Sequence, residues 1–99
     1  MKILGIRVDD VDMVQALCFV GRLVSERRSG QIITLNAEIL YQAQKNVALK
    51  TVIENAAMVT PDGSGVVWAS RTLGQPLKER VTGIDLMEEI CRQARYNGW

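Results

Sequence analysis

The sequence predicts an α/β domain whose helices alternate with the strands of a mostly parallel sheet. Three observations carry that prediction. Short runs rich in β-branched residues recur at positions 3–8, 31–35 and 58–60. Stretches with apolar residues three and four apart fill the intervals between them. Residues that stop or cap an element, Gly30, Asn36, Pro61-Asp62-Gly63 and Gly74, fall where one periodicity gives way to the other.

The first strand is read over 3–8, where Leu4, Ile6 and Val8 alternate with Gly5 and Arg7, as a strand with one buried face does. Asp9, Asp10 and Asp12 interrupt it. The first helix follows, with Val14, Leu17, Cys18, Gly21 and Val24 as its inner stripe, Arg27 and Arg28 in the last turn and Gly30 as its stop. Gln31 to Leu35 carries three β-branched residues and suits a strand buried on both faces. Asn36 breaks that strand and can cap the next helix through its side-chain oxygen. Ile39, Leu40 and Ala43 form one helical stripe, and Leu49, Val52 and Ile53 another, giving one long helix or a pair joined near Asn46.

The third strand, over 58–60, is closed by the Pro61-Asp62-Gly63 turn. A helix over 66–73 ends at Gly74, with Pro76 beyond it. Asp85 then opens the last helix, with Glu88 three residues later in a capping-box variant. Leu86, Ile90, Cys91 and Ala94 form its inner face and Gly98 its C-cap. The order β-α-β-α-β-α-α implies right-handed crossovers and a Rossmann-like sheet. Three parallel strands leave an open edge, so residues 1–99 read as the N-terminal portion of a larger domain, truncated after its first half.

Composition removes several function classes. The chain contains no histidine, so neither a Ser-His-Asp or Cys-His arrangement nor a His-containing zinc site can be built from it. Cys18 and Cys91 are too few for a Cys-only zinc site, and their helical context reads as two small hydrophobes rather than a disulfide. Twelve basic against eleven acidic residues leave a charge of +1, which argues against a nucleic-acid partner held by bulk electrostatics. No signal peptide opens the sequence, and no apolar run approaches the ~20 residues that span a bilayer, so the chain reads as cytoplasmic.

Chemistry is expected beyond the carboxyl ends of the strands, where loops and helix N-termini converge. If the second and third strands run parallel, Thr34, Asn36 and Asp62 share one edge. Gly63-Ser64-Gly65 then supplies a turn whose amides can approach a phosphate, although Trp68 stands where a dinucleotide fingerprint has its third glycine. Each residue also has a plainer reading. Pro61-Asp62-Gly63 alone is a surface turn, and Trp68 is core before it is a sugar-stacking platform. Arg80 could fork onto a diphosphate but alone is more often a solvated surface arginine, and Asp85 is first a helix cap. Asp10-Val11-Asp12 has the form of a metal-binding pair. The stronger reading makes these carboxylates helix caps.

Taken together, three stretches resemble the WecG/TagA/CpsF family of bacterial glycosyltransferases. They are Thr34-Leu35-Asn36-Ala37-Glu38, Thr60-Pro61-Asp62-Gly63-Ser64-Gly65-Val66-Val67-Trp68-Ala69-Ser70-Arg71 and Pro76-Leu77-Lys78-Glu79-Arg80-Val81-Thr82-Gly83-Ile84-Asp85-Leu86. The resemblance implies an inverting, metal-independent transferase without a cofactor. It would move a hexosamine such as N-acetylmannosamine, or its uronic acid, from a UDP-sugar donor to an undecaprenyl-diphosphate-linked sugar during cell-surface polysaccharide or teichoic acid synthesis. It implies Asp62 as catalytic base, and Thr34, Asn36 and Arg80 as polar residues lining the pocket. Gly63, Gly65 and Asp85 complete the expected substrate-binding set. Family members are considerably longer, so the 99 residues are expected to be catalytically incomplete alone. Peripheral contact with the inner face of the cell membrane is expected through a region absent here. The alternative reading is a non-catalytic phosphate-binding α/β module, or one that forms a homo-oligomer through its open sheet edge.

Overall fold

The computed structural model describes residues 1–74, 77 and 81–98. The elements follow the order β1 (Lys2–Ile3), β2 (Ile6–Arg7), α1 (Met13–Ser25), β3 (Ile32–Leu35), α2 (Ala37–Ala43), α3 (Val47–Glu54), β4 (Met58–Pro61), α4 (Ser64–Thr72) and α5 (Gly83–Asn97). The class is mixed α/β. Among the described residues the parallel sheet has two strands, β3 and β4, paired in the register Ile32↔Met58, Ile33↔Val59, Thr34↔Thr60 and Leu35↔Pro61.

The expected first strand is instead a hairpin. β1 and β2 pair antiparallel through Lys2↔Arg7 and Ile3↔Ile6. Leu4 and Gly5 between them both take positive φ, 51° and 79°, the pattern of a two-residue type I′ turn. Gly5 adopts that conformation without a Cβ penalty, and the chain reverses where the alternation alone predicts continuation. Ile3, Ile6 and Val8 enter the core, while Leu4 sits at the turn, exposed.

Both faces of the β3/β4 sheet are covered. Leu35 and Val59 pack with the hairpin, Leu40 and Ala43 of α2, Ile53 of α3 and Val66 of α4. Alternate strand residues point the other way, and there Met58 and Ile32 meet Ala16 of α1 and Leu86 of α5, with buried Val81 between. This is the period-2 alternation of a strand carrying helices on both sides. The outer edge of β4 is also occupied. Asp9 donates its amide to the Val59 carbonyl (2.8 Å) and accepts from the Val59 amide through Oδ2 (2.9 Å), while the Val81 amide donates to the Pro61 carbonyl (2.6 Å).

Caps explain most boundaries. Asp12 forms a capping box with Gln15, its carboxylate accepting from the Gln15 amide at 2.8 Å while the Gln15 side chain accepts from the Asp12 amide at 3.1 Å. Asn36 and Asn46 cap α2 and α3, so the long helical region is a pair joined at Asn46. Gly74 leaves α4 at φ 74°, and Gly98 ends α5 in the left-handed region.

Three expectations about side-chain placement are corrected. The inner stripe of α1 is Ala16, Val20 and Leu23, whereas Val14, Cys18 and Val24 are exposed. That helix is apolar almost all round, so spacing alone does not choose the buried face; the partners Met58, Val81 and Leu86 do. Cys91 is likewise exposed, and both cysteines are free. Trp68 is 67% exposed, because α4 turns Val66, Val67 and Ser70 inward and its indole outward. No helix among the described residues is long and apolar enough to cross a membrane.

Candidate active site at the carboxyl end of the sheet

The parallel register decides where the polar residues emerge. Because Leu35 lies opposite Pro61, Asn36 and Asp62 leave the sheet side by side, and the Asp62 amide donates to the Leu35 carbonyl at 2.8 Å. Thr34 and Thr60 are paired one residue-pair deeper. The shared edge expected for Thr34, Asn36 and Asp62 is therefore present.

Each side chain at this edge has a definable environment. Asn36 accepts from the Ile39 amide at 2.8 Å, which fixes its side chain against the first turn of α2. Asp62 is half-buried, and its Oδ2 accepts from the Gly83 amide at 3.2 Å, tying the carboxylate to the start of α5. Gly83 also lies against Thr34: a Cβ placed on it would sit 3.3 Å from Thr34 Cγ2, 3.4 Å from Thr34 Oγ1 and 3.6 Å from Asp62 Oδ2. Thr34 and Asp62 thus flank one point, from opposite strands. Thr60 is fully buried, and its Oγ1 has no hydrogen-bond partner among the described residues.

Three helices begin here. Gly63, at φ 90°, turns the chain from β4 into α4, whose N-terminus has no side-chain cap. Ser64 and Gly65, read from sequence as turn residues, form the first turn of α4. Gly65 brings that turn against α2, since a Cβ on it would lie 3.1 Å from the Ala37 Cβ. The N-terminal ends of α2, α4 and α5 consequently converge around Asp62, and their amide dipoles favour negative charge at that place.

The remaining candidates divide. Asp85 is exposed in the first turn of α5 and is not its cap. Thr82 is, through its hydroxyl, which accepts from the Asp85 amide at 3.2 Å. Arg80 lies outside the described residues. Asp12 caps α1, and Asp9 pairs with Arg7 and Val59 on the flank of β4. Sequence reasoning passed over Gly83, Thr82 and Thr60. The Thr-Gly-Ile-Asp spacing does hold a signal for the first two, a threonine three residues before an acid followed by a glycine that permits close approach.

A carboxylate at this edge, held through one oxygen by a backbone amide and ringed by helix N-termini, can take a proton from a hydroxyl beside a bound anion. The whole of residues 1–99 matches the family model described as glycosyl transferase WecG/TagA/CpsF family. The chain belongs to that family. Among its relatives is an N-acetylglucosaminyldiphosphoundecaprenol N-acetyl-beta-D-mannosaminyltransferase of Staphylococcus aureus strain NCTC 8325 / PS 47. It is 35% identical over 99 residues, covering 98% of this chain and 39% of the relative. The same figures hold for the protein of that name in strain COL. The chain therefore spans about two-fifths of the length of the curated relatives it matches.

Proposed function

We propose that this member of the WecG/TagA/CpsF family contributes the base-bearing half of an inverting glycosyltransferase site. The site would move a hexosamine-type sugar from a UDP-sugar to an undecaprenyl-diphosphate-linked sugar. The observation that carries the reading is the Asp62 carboxylate at the common carboxyl edge of β3 and β4, fixed through Oδ2 by the Gly83 amide beside Thr34. The name of the Staphylococcus aureus relatives supports the acceptor and sugar class.

In the proposed reaction Asp62 takes the proton of the acceptor hydroxyl as that oxygen attacks the anomeric carbon. The bond to UDP breaks, and its electron pair leaves with the diphosphate. Charge developing on the diphosphate is met by the uncapped first turn of α4, at Gly63 and Gly65, and by Arg80. Thr34 and Asn36 line the cleft, and Asp85 stands at its α5 side. The sheet is proposed to complete a Rossmann-like layer with the further chain that the longer relatives carry. The 99 residues alone are proposed not to turn over donor. Association with the membrane face is proposed to follow from the lipid-linked acceptor.

The test is a chimera in which residues 1–99 replace the matching 99 residues of the Staphylococcus aureus relative. It is expected to transfer sugar from UDP-N-acetylmannosamine to a lipid-diphosphate-linked N-acetylglucosamine acceptor. A folded chimera that transfers no sugar overturns the reading.

A second reading has one observation in its favour: among the described residues no strand pairs with the outer edge of β3. A self-associating, non-catalytic module would use that edge. Sedimentation would then give a dimer of the 99-residue chain, and the chimera would be inactive.

A further inference from the structure

We infer that Gly83 is a positioning residue for Asp62, and that a side chain of any size at this position shifts the carboxylate out of place without unfolding the chain. The inference rests on the transferase reading above for its kinetic consequence, but not for its geometry. Two independent features lead to it. The Gly83 amide is a donor to Asp62 Oδ2, at 3.2 Å across 21 residues of sequence, so it sets which carboxylate oxygen is engaged and which way the other faces. The space where a Cβ would go is already bounded by Thr34 Cγ2 at 3.3 Å, Thr34 Oγ1 at 3.4 Å and Asp62 Oδ2 at 3.6 Å.

Conformational freedom is not the reason for glycine here. Gly83 is the first residue of α5, and it is not among the residues of positive φ. Alanine is a better helix former, so on backbone grounds alone Gly83→Ala should raise stability. Clearance works in the other direction. A methyl group at 83 has to push Thr34 aside by a few tenths of an ångström or lift the start of α5 away from the sheet. The second movement lengthens the bond to Asp62. Thr34 is itself half-buried on β3 and anchored by its pairing to Thr60, so the helix end is the part that yields. The resulting misplacement is small but falls at the reacting group, where errors well below the size of an atom are felt in rate.

The test has two arms. In the 99-residue chain, amide hydrogen exchange is followed by NMR and corrected for intrinsic rates. Asp62→Ala and Gly83→Ala are each expected to speed exchange at position 83 by about tenfold, as that amide loses its fixed acceptor, while the buried Val59 amide keeps its protection. In the chimera with the Staphylococcus aureus relative, Gly83→Ala is expected to lower kcat about tenfold with KM within about twofold. Adding Thr34→Ser, which removes Cγ2 and keeps the hydroxyl, should recover both the slow exchange and part of the lost kcat. Gly83→Ala that leaves exchange and kcat unchanged, or a loss that Thr34→Ser does not relieve, overturns the inference. If the parent chimera transfers no sugar, the transferase reading fails, and the exchange arm still decides the role of Gly83.

Discussion

Replacing Arg7 with methionine tests how the hairpin is held to the sheet. The guanidinium donates to the carbonyls of Glu54 (3.2 Å), Ala56 (2.6 Å) and Ala57 (3.4 Å), and it pairs with Asp9 at 2.9 Å. These carbonyls close the C-terminal end of α3, where a cation also complements the helix dipole. Asp9 in turn holds the Val59 amide, so one side chain joins β2, α3 and the flank of β4. Only the contacts to Ala56 and Asp9 are short. Each charge-assisted bond is worth about 1.5–3 kcal/mol net of competition from water when it is well buried. The Arg7 side chain is 23% exposed, so part of that is recovered by solvent in the variant. Arg7→Met should therefore cost about 2–3 kcal/mol, which for a domain of this size lowers the melting temperature by roughly 10–20 °C. Urea and thermal unfolding followed by circular dichroism measure it. Arg7→Lys should recover less than about half of the loss, because an ammonium cannot serve three carbonyls and a carboxylate in the geometry of the fork. A cost below about 0.5 kcal/mol for Arg7→Met would refute the reasoning and place this cluster with ordinary surface ion pairs.

Two further substitutions probe local strain and polarity. Leu4 occupies a positive-φ turn position at 57% exposure, so Leu4→Asn, which creates an Asn-Gly turn, should stabilise the chain by about 0.5–1 kcal/mol. A lower urea midpoint would contradict the turn assignment. Thr60→Val replaces a buried hydroxyl that lacks a partner among the described residues with a group of the same shape. It is expected to be neutral or to raise stability by up to about 1 kcal/mol. A loss of more than about 1 kcal/mol would show that the hydroxyl is satisfied by a bound water.

Much of the candidate site was legible because its determinants are local. Asn36 as a cap and the reversal at 61–63 follow from residues adjacent in sequence, and the alternation of strands with helices implies the parallel pairing of the two short β-branched runs. Together they place Thr34, Asn36 and Asp62 on one edge. What escaped depends on partners far along the chain. Arg7 clamps carbonyls 47 to 50 residues away, and Gly83 reaches Asp62 across 21 residues. Periodicity cannot register either. The hairpin was hidden because Ile3, Ile6 and Val8 satisfy an apolar run whether or not the chain reverses at Leu4-Gly5. In α1, apolar residues on nearly every side left the buried face to be chosen by Met58 and Leu86. Trp68 followed the same logic in reverse, its size suggesting burial while the stripe of Val66, Val67 and Ser70 faced inward.

The central claim is that Asp62 removes the acceptor proton. Its most direct test is the steady-state rate of sugar transfer by the chimera with Asp62→Asn, an isosteric change that keeps an acceptor oxygen for the Gly83 amide and removes the base. The expected result is a fall in kcat of about a hundredfold or more, with KM for donor and acceptor within about threefold. A kcat within about threefold of the parent chimera would contradict it.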